Sequence, residues 1–133
     1  MENRIATTID QSKKLLELGI DVNTADMWYQ HIGYSIIDGK EKQTYFPMVI
    51  RDNISDDDLP AWTLSALLGM MPKLYEFGND HNDGGCQPNL CKGWNNNRWH
   101  IVYRSSIYIT NWYDDPIDAA FEMVVWLLEN GKI

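Results

Sequence analysis

The chain has 133 residues, a mass of 15.5 kDa and a formal net charge of −8, with 44% hydrophobic and 23% charged residues. A folded monomer of this size buries about 68% of the surface that its unfolded chain exposes, which predicts one domain over residues 1–133 and excludes global disorder. The longest apolar run lies within residues 123–128 and only two cysteines are present, so neither a membrane span nor a disulfide framework is expected.

The charge balance argues against polyanionic partners. The chain holds 11 basic and 19 acidic residues, and the basic ones are scattered along the sequence. Because a negative surface repels phosphates over about 8 Å at physiological salt, we expect no nucleic-acid partner and no membrane partner. No apolar signal-peptide segment follows Met1, so we expect a cytoplasmic protein.

The first predicted element is a short helix over residues 9–18. Thr8 and Gln11 have the spacing of a capping box, in which each side chain binds a backbone amide of the other residue. Gly19 favours the left-handed conformation that ends many helices. A helix this short needs tertiary contacts for stability, so we expect its apolar face to dock on the core.

A β-hairpin is predicted within residues 27–50. Aromatic and β-branched residues are frequent there, and the pair Asp38 and Gly39 is a strong signal for a two-residue turn. Pro47 lacks a backbone donor, which predicts that the returning strand lies at the edge of its sheet.

The centre of the chain predicts a second helix and then a long loop. Either Pro60 occupies the first helical position or Thr63 is the N-cap; we prefer Thr63, and Pro72 ends the helix. Residues 73–77 favour a short strand. Residues 78–97 are rich in Gly, Asn and Asp and predict one long polar loop, which is unusual in a small domain.

The last third predicts a second hairpin and the clearest helix. Residues 99–104 and 107–112 alternate in polarity around a Ser-Ser turn. Asp115 as N-cap, Pro116 as first residue and Gly131 after the end delimit the helix. Its predicted apolar stripe consists of Ile117, Ala120, Phe121, Val124, Leu127 and Leu128. We therefore expect an α+β fold, with about three helices packed mainly on one face of an antiparallel sheet.

Four segments of the chain resemble a group of small uncharacterised proteins from Bacteroides-type gut bacteria, their prophages and mobile elements. The segments are residues 6–19, 23–27, 60–68 and 115–123. The group has no assigned activity, so the resemblance implies no catalytic residue. It implies a bacterial, intracellular accessory protein.

The residues 78–100 hold the candidates for metal or nucleophile chemistry. His81, Cys86 and Cys91 are spaced more widely than most zinc ligands, and either His100 or His31 is a candidate fourth ligand. The alternatives are free cysteines without a chemical role, a disulfide, and a Cys–His nucleophile pair. Residues 79–85 resemble a calcium loop but fit neither possible register. No intact catalytic motif is present, so we expect no cofactor and favour a non-catalytic protein over an enzyme.

Aromatic residues are unusually abundant, with 6 Trp and 7 Tyr. They either fill the core and the sheets or form a contact surface, since interfaces favour Trp and Tyr. The candidate partner-binding residues are Trp94, Tyr108, Trp112 and Trp126. Alternation in the second hairpin predicts a solvent-facing stacking platform formed by His100, Arg104, Tyr108, Thr110 and Trp112.

Three functional hypotheses follow. The first is an accessory protein of a mobile element that binds another protein, with self-association as a further option. The second is an acidic inhibitor or immunity-type protein that occupies a basic site through a continuous negative face. That face would consist of Asp52, residues 56–58, Asp118, Glu122 and Glu129. The third is a small metal-dependent or Cys/His enzyme centred on residues 78–100.

Overall fold

A computed structural model describes residues 4–49, 58–72, 87–103 and 108–133. The elements are α1 (Ile9–Glu17), a 3₁₀ turn (Val22–Thr24), β1 (Met27–Ile37), β2 (Lys40–Val49), β3 (Leu59–Ala61), α2 (Leu64–Gly69), β4 (Pro88–Lys92), β5 (Trp99–Tyr103) and α3 (Pro116–Glu129). All strand pairs within them are antiparallel, in the orders β2-β1-β3 and β4-β5. The predicted α+β fold is confirmed, and its strands are divided between two sheets.

The helix starts lie where the sequence predicts them. At α1 the Gln11 amide donates to Thr8 Oγ1 (3.1 Å) and the Thr8 amide donates to Gln11 Oε1 (3.0 Å). Thr63 caps α2, and Asp115 caps α3 by accepting from the Ile117 amide at 2.9 Å. These bonds join residues at most three positions apart, so local sequence is enough to specify them.

The first hairpin also agrees with its prediction. Asp38 and Gly39 both have positive φ values, 53° and 75°, as a type I′ turn requires. The turn joins β1 to β2, which starts directly after it, at Lys40. Pro47 lies in β2, the edge strand of its sheet, so its missing amide costs no hydrogen bond in the centre of the sheet.

The second sheet differs from its prediction. Residues 88–92, predicted as part of the long loop, form β4 and pair with β5. The segment 108–113 lies along the other side of β5, where isolated bridges join Trp99 to Tyr113 and Val102 to Ile109. The predicted strand over 73–77, the loop up to residue 86 and the Ser-Ser turn lie outside the described residues.

A core of buried side chains joins the second sheet to all three helices. Leu15 of α1, Trp62 before α2, Ile101 of β5 and Leu127 of α3 are fully buried in it. The buried residues of α3 are Ile117, Ala119, Ala120, Met123, Val124 and Leu127. The predicted stripe is therefore shifted: Ala119 and Met123 are buried, whereas Phe121 and Leu128 are half-buried at its margin.

This shift has a tertiary cause, since α3 contacts both α2 and β5 and so buries a wider face than periodicity alone predicts. In the described part of the chain, none of the helices combines the length and apolarity needed to cross a membrane.

Candidate functional site

The side of the second sheet that faces away from the core carries a compact group of apolar and aromatic side chains. Side chains alternate along a strand, and Ile101 and Tyr103 of β5 are fully buried in the core. His100 and Val102 therefore project from the opposite side. Their neighbours there come from β4 and from segment 108–113. We call this group the outer face; its members are Cys91, His100, Val102, Ile109 and Trp112.

Trp112 is fixed on the outer face by its stacking on His100. The two ring centroids lie 3.8 Å apart with an interplanar angle of 12°. Trp112 nevertheless keeps 41% of its surface exposed, and Ile109, which pairs with Val102, keeps 48%. The tryptophan thus presents apolar area to solvent in an orientation that already exists before any ligand binds.

Trp94 is the most exposed large hydrophobic side chain among the described residues. It lies in the turn between β4 and β5 and is 97% exposed. The turn is closed by a bond from the Gly93 amide to the Arg98 carbonyl (2.7 Å), and Asn96 Oδ1 accepts from the Arg98 amide at 3.1 Å. A Cβ at position 93 would lie 1.9 Å from Asn96 Oδ1, so a larger residue there would displace this side chain from its bond with the Arg98 amide. The turn is therefore well defined, and Trp94 extends from it into solvent.

Basic side chains accompany the aromatic ones at this end of the sheet. Lys92 Nζ lies 5.4 Å from the ring centroid of Trp99, within the range of a cation–π contact. Arg98 Nε lies 3.4 Å from Asp114 Oδ1, and both side chains are mostly exposed. Sequence analysis identified neither Lys92 nor Trp99 as candidates.

Tyr108 and Trp126 are packed together away from the outer face, between segment 108–113 and α3. Their rings stack with centroids 4.7 Å apart. Glu122 of α3 accepts hydrogen bonds from the hydroxyls of Tyr108 (2.8 Å) and Tyr113 (2.7 Å), as well as from the Asn111 amide (3.1 Å). These contacts fasten segment 108–113 to the helix.

The predicted stacking platform is therefore only partly assembled. His100 and Trp112 come together, but Tyr108 turns towards α3 and Thr110 is buried, while Arg104 lies outside the described residues. Trp99 and Val102 are three positions apart on β5, whereas their bridge partners, Tyr113 and Ile109, are four positions apart. The extra residue is a β-bulge, which reverses the alternation of side chains. It brings Ile109 and Trp112 to one face, where strict alternation would separate them.

The metal-ligand candidates are only partly described. His81 and Cys86 lie outside the described residues, while Cys91 and His100 are direct cross-strand partners. Cys91 carries a free thiol whose Sγ lies 3.7 Å from the Asn89 carbonyl. Within the described ranges, no three side chains of the metal-binding types cluster as a metal site would require. A zinc site at these residues stays a prediction.

The acidic side chains of α3 bind partners inside the molecule. Arg4 pairs with Asp115 and Asp118, and Gln11 Nε2 donates to Asp118 Oδ1 at 2.7 Å. Together with Glu122, these carboxylates fasten the N-terminal segment and segment 108–113 to α3. Glu129 is exposed, whereas Asp52, Asp56 and Asp57 lie outside the described residues.

An open cleft of about 460 Å³ lies beside the sheet. Arg4 and Ile5 line one part of it, and Thr63, Trp99 and residues 114–117 line another. Arg4 is already engaged by two carboxylates there.

Comparison of the chain with protein-family models, curated proteins and solved structures finds no match.

The tyrosines of the second sheet predict a loss of stability at alkaline pH. Burial raises the pKa of Tyr103 to about 12, and burial together with the Glu122 hydrogen bond raises the pKa of Tyr108 to about 12. Each pKa lies above the usual value of about 10, so the folded state favours the neutral phenol. The resulting stabilisation is complete below about pH 10 and is lost as the pH rises towards 12.

Chemical unfolding across this pH range, with phenolate absorbance followed in the folded protein, measures the effect. The matched variant Glu122→Gln is expected to lower the pKa of Tyr108 and to leave that of Tyr103 unchanged. Titration of all tyrosines at their ordinary pKa in the folded protein would contradict the prediction.

Proposed function

We propose that this protein is a non-catalytic binding protein, and that its partner is another protein that docks on the outer face and on the adjoining turn with Trp94. The observation that carries the proposal is the exposure of Trp94, at 97%, and of Trp112, at 41%, on one ordered sheet. In the context that the sequence resemblance suggests, the protein acts in the bacterial cytoplasm as an accessory protein of a mobile element or prophage.

The composition of this surface supports a protein partner. Tryptophan dominates the binding energy of many protein interfaces, because it buries a large area and loses little conformational freedom. Trp112 is held by His100 before binding, which lowers the entropy cost of association. Ile109 supplies further apolar area, and exposed amide side chains of the kind found in a polar rim belong to the same turn and strand segments. These amides belong to Asn89, Asn95, Asn96, Asn97 and Asn111, all exposed.

The two other hypotheses have less support. An acidic inhibitor needs a continuous negative face, but Asp118 binds Arg4 and Gln11, and Glu122 binds two tyrosine hydroxyls. Engagement of both carboxylates within the molecule reduces the charge that this helix offers to a partner. A Cys/His or metal enzyme would need His81, which lies outside the described residues, so this hypothesis stays a prediction.

Site-specific photo-crosslinking in the cells that encode the protein tests the proposal. A benzophenone amino acid placed at Trp94 or at Trp112 is expected to give the same discrete protein adduct. The control position is Ile36, which is 80% exposed on the first hairpin and is expected to give no such adduct. The double variant Trp94→Ala/Trp112→Ala, as unlabelled competitor, should fail to suppress the adduct, whereas the unmodified chain should suppress it. Equal adducts at all three positions would contradict the proposal.

A further inference from the structure

The charges of this chain are strongly segregated. Residues 84–113 form a stretch of thirty residues without a single Asp or Glu, and it contains the basic residues Lys92, Arg98 and Arg104. The rest of the chain has eight basic and 19 acidic residues. The net charge of −8 is therefore the sum of +3 for this segment and −11 for the remainder of the chain. The three basic residues are widely spaced, so the positions of the basic residues alone do not reveal this segment. The absence of acidic residues does.

The fold brings the described parts of this segment, residues 87–103 and 108–113, together in one place. It supplies β4, the Trp94 turn, β5 and the whole of segment 108–113, which together make up the second sheet and every residue of the outer face. Lys92 lies over Trp99, and Arg98 is 56% exposed at the end of the turn. Asp114 lies beside Arg98 and is 72% exposed, so water screens this pair strongly. Glu122 also contacts segment 108–113, where its carboxylate accepts hydrogen bonds from the hydroxyls of Tyr108 and Tyr113 on the side towards α3. Apolar contact area and positive charge thus occupy the same sheet.

We infer that the partner of the outer face is a protein with an acidic surface. This inference rests on the proposed function and adds the chemical class of the partner. Opposite charges speed the encounter of two proteins and orient them. An acidic partner is repelled by the net negative charge of the remainder of this chain and attracted at the second sheet, so the same charge pattern that attracts it also directs it to the tryptophans.

Two other occupants fit the charges less well. A nucleic-acid strand carries phosphates along its whole length and would extend beyond the sheet onto the acidic remainder. Three basic residues would also displace few counterions from the strand, and the release of counterions is the main source of affinity for nucleic acids. A second copy of the chain carries the same net charge of −8, so its approach is opposed at long range.

The first experiment measures the local potential with small ions. Iodide and caesium quench exposed tryptophan fluorescence by collision, so the more effective ion reports the sign of the potential around the ring. The signal of Trp94 is obtained as the difference between the unmodified chain and Trp94→Phe. We expect iodide to quench it more than caesium does, despite the net negative charge.

The matched control for this experiment is Val22→Trp, which places an exposed tryptophan beside Asp21 in the acidic remainder. Caesium should quench that ring more than iodide does. If caesium is also the better quencher of Trp94, the second sheet is not electropositive and the inference is overturned.

The second experiment uses two defined peptides that share length and apolar content, together with one nucleic acid. The probes are a Glu/Leu/Tyr peptide, the corresponding Lys/Leu/Tyr peptide and a fluorescent oligothymidylate. We expect the acidic peptide to bind about tenfold more tightly than the basic one, as two or three exposed ion pairs would provide. The double charge reversal Lys92→Glu/Arg98→Glu should abolish or invert this preference, and added salt should weaken it.

The outcomes separate the alternatives. If both peptides bind equally and this binding depends on Trp94 and Trp112, the inference of an acidic partner is overturned and the proposed function stays intact. Crosslinks at Trp94 that do not differ from those at Ile36 defeat the proposed function itself. Tighter binding of oligothymidylate than of the acidic peptide overturns the inference in favour of nucleic acid. Concentration-dependent self-association that the Trp94→Ala/Trp112→Ala variant abolishes overturns it in favour of a second copy.

Discussion

Trp62→Ala is expected to lower the free energy of unfolding by about 3–5 kcal/mol, the range found for large aromatic residues removed from protein cores. Trp62 is fully buried, and its Nε1 donates to Thr24 Oγ1 at 2.9 Å. Its backbone amide and carbonyl both bind Thr7, which is itself buried. Trp62 therefore connects the N-terminal segment, the 3₁₀ turn and the start of α2, and the loss of its buried indole removes the bond to Thr24 and leaves a cavity.

The matched control uses the same substitution at an exposed position. Trp94→Ala removes a side chain that is 97% exposed, so it is expected to change the free energy of unfolding by less than about 0.5 kcal/mol. Equilibrium unfolding in guanidinium chloride, followed by far-ultraviolet circular dichroism, compares the two variants. Similar effects of both substitutions would contradict the burial described for Trp62.

The second large effect is expected at Glu122. Glu122→Ala should lower the free energy of unfolding by about 1.5–3 kcal/mol, because hydrogen bonds to a carboxylate are stronger than neutral ones and several partners lose their acceptor together. Those partners are the hydroxyls of Tyr108 and Tyr113 and both nitrogens of Asn111. Segment 108–113 carries Ile109 and Trp112, so its attachment to α3 also holds the outer face in place.

Glu129→Ala is the control for this substitution, since Glu129 is an exposed carboxylate on the same helix. We expect it to change the free energy of unfolding by less than about 0.5 kcal/mol. Glu122→Gln retains an acceptor oxygen and should have an intermediate effect. The same denaturation experiment measures all three, and equal effects of Glu122→Ala and Glu129→Ala would contradict the role of this hydrogen-bond network.

The features that sequence analysis predicted correctly are short-range. The capping box of Thr8 and Gln11, the N-caps Thr63 and Asp115, and the turn at Gly39 each involve neighbours along the chain. Such contacts form between the same residues whatever the remainder of the fold does. The α+β class follows from them, since they mark where helices and strands begin and end.

The features that were missed depend on pairing between distant segments. β4 has only five residues and begins with Pro88, so its sequence resembles that of the loop on either side. Its pairing with β5 supplies the hydrogen bonds that make it a strand. The apolar stripe of α3 was shifted for a similar reason, because α2 and β5 jointly decide which of its residues are buried.

The candidate site shows the same division. Trp94 and Trp112 were identified from residue type alone, and Tyr108 and Trp126 were grouped with them although they pack against each other beside α3. Alternation in the sequence placed Ile109 and Trp112 on opposite faces of their strand. The bulge between the bridges to Trp99 and Val102 brings them to the same face.

The amino-acid sequence by itself determined the starts of the helices, the first turn, the fold class and the absence of carboxylates from residues 84–113. Each of these properties is specified within a few residues or by composition. Only the tertiary structure decided which aromatic side chains lie in the core and which face solvent, because one extra residue in a strand reverses every later side chain. The outer face is a product of that register and of the contacts between segment 108–113 and α3.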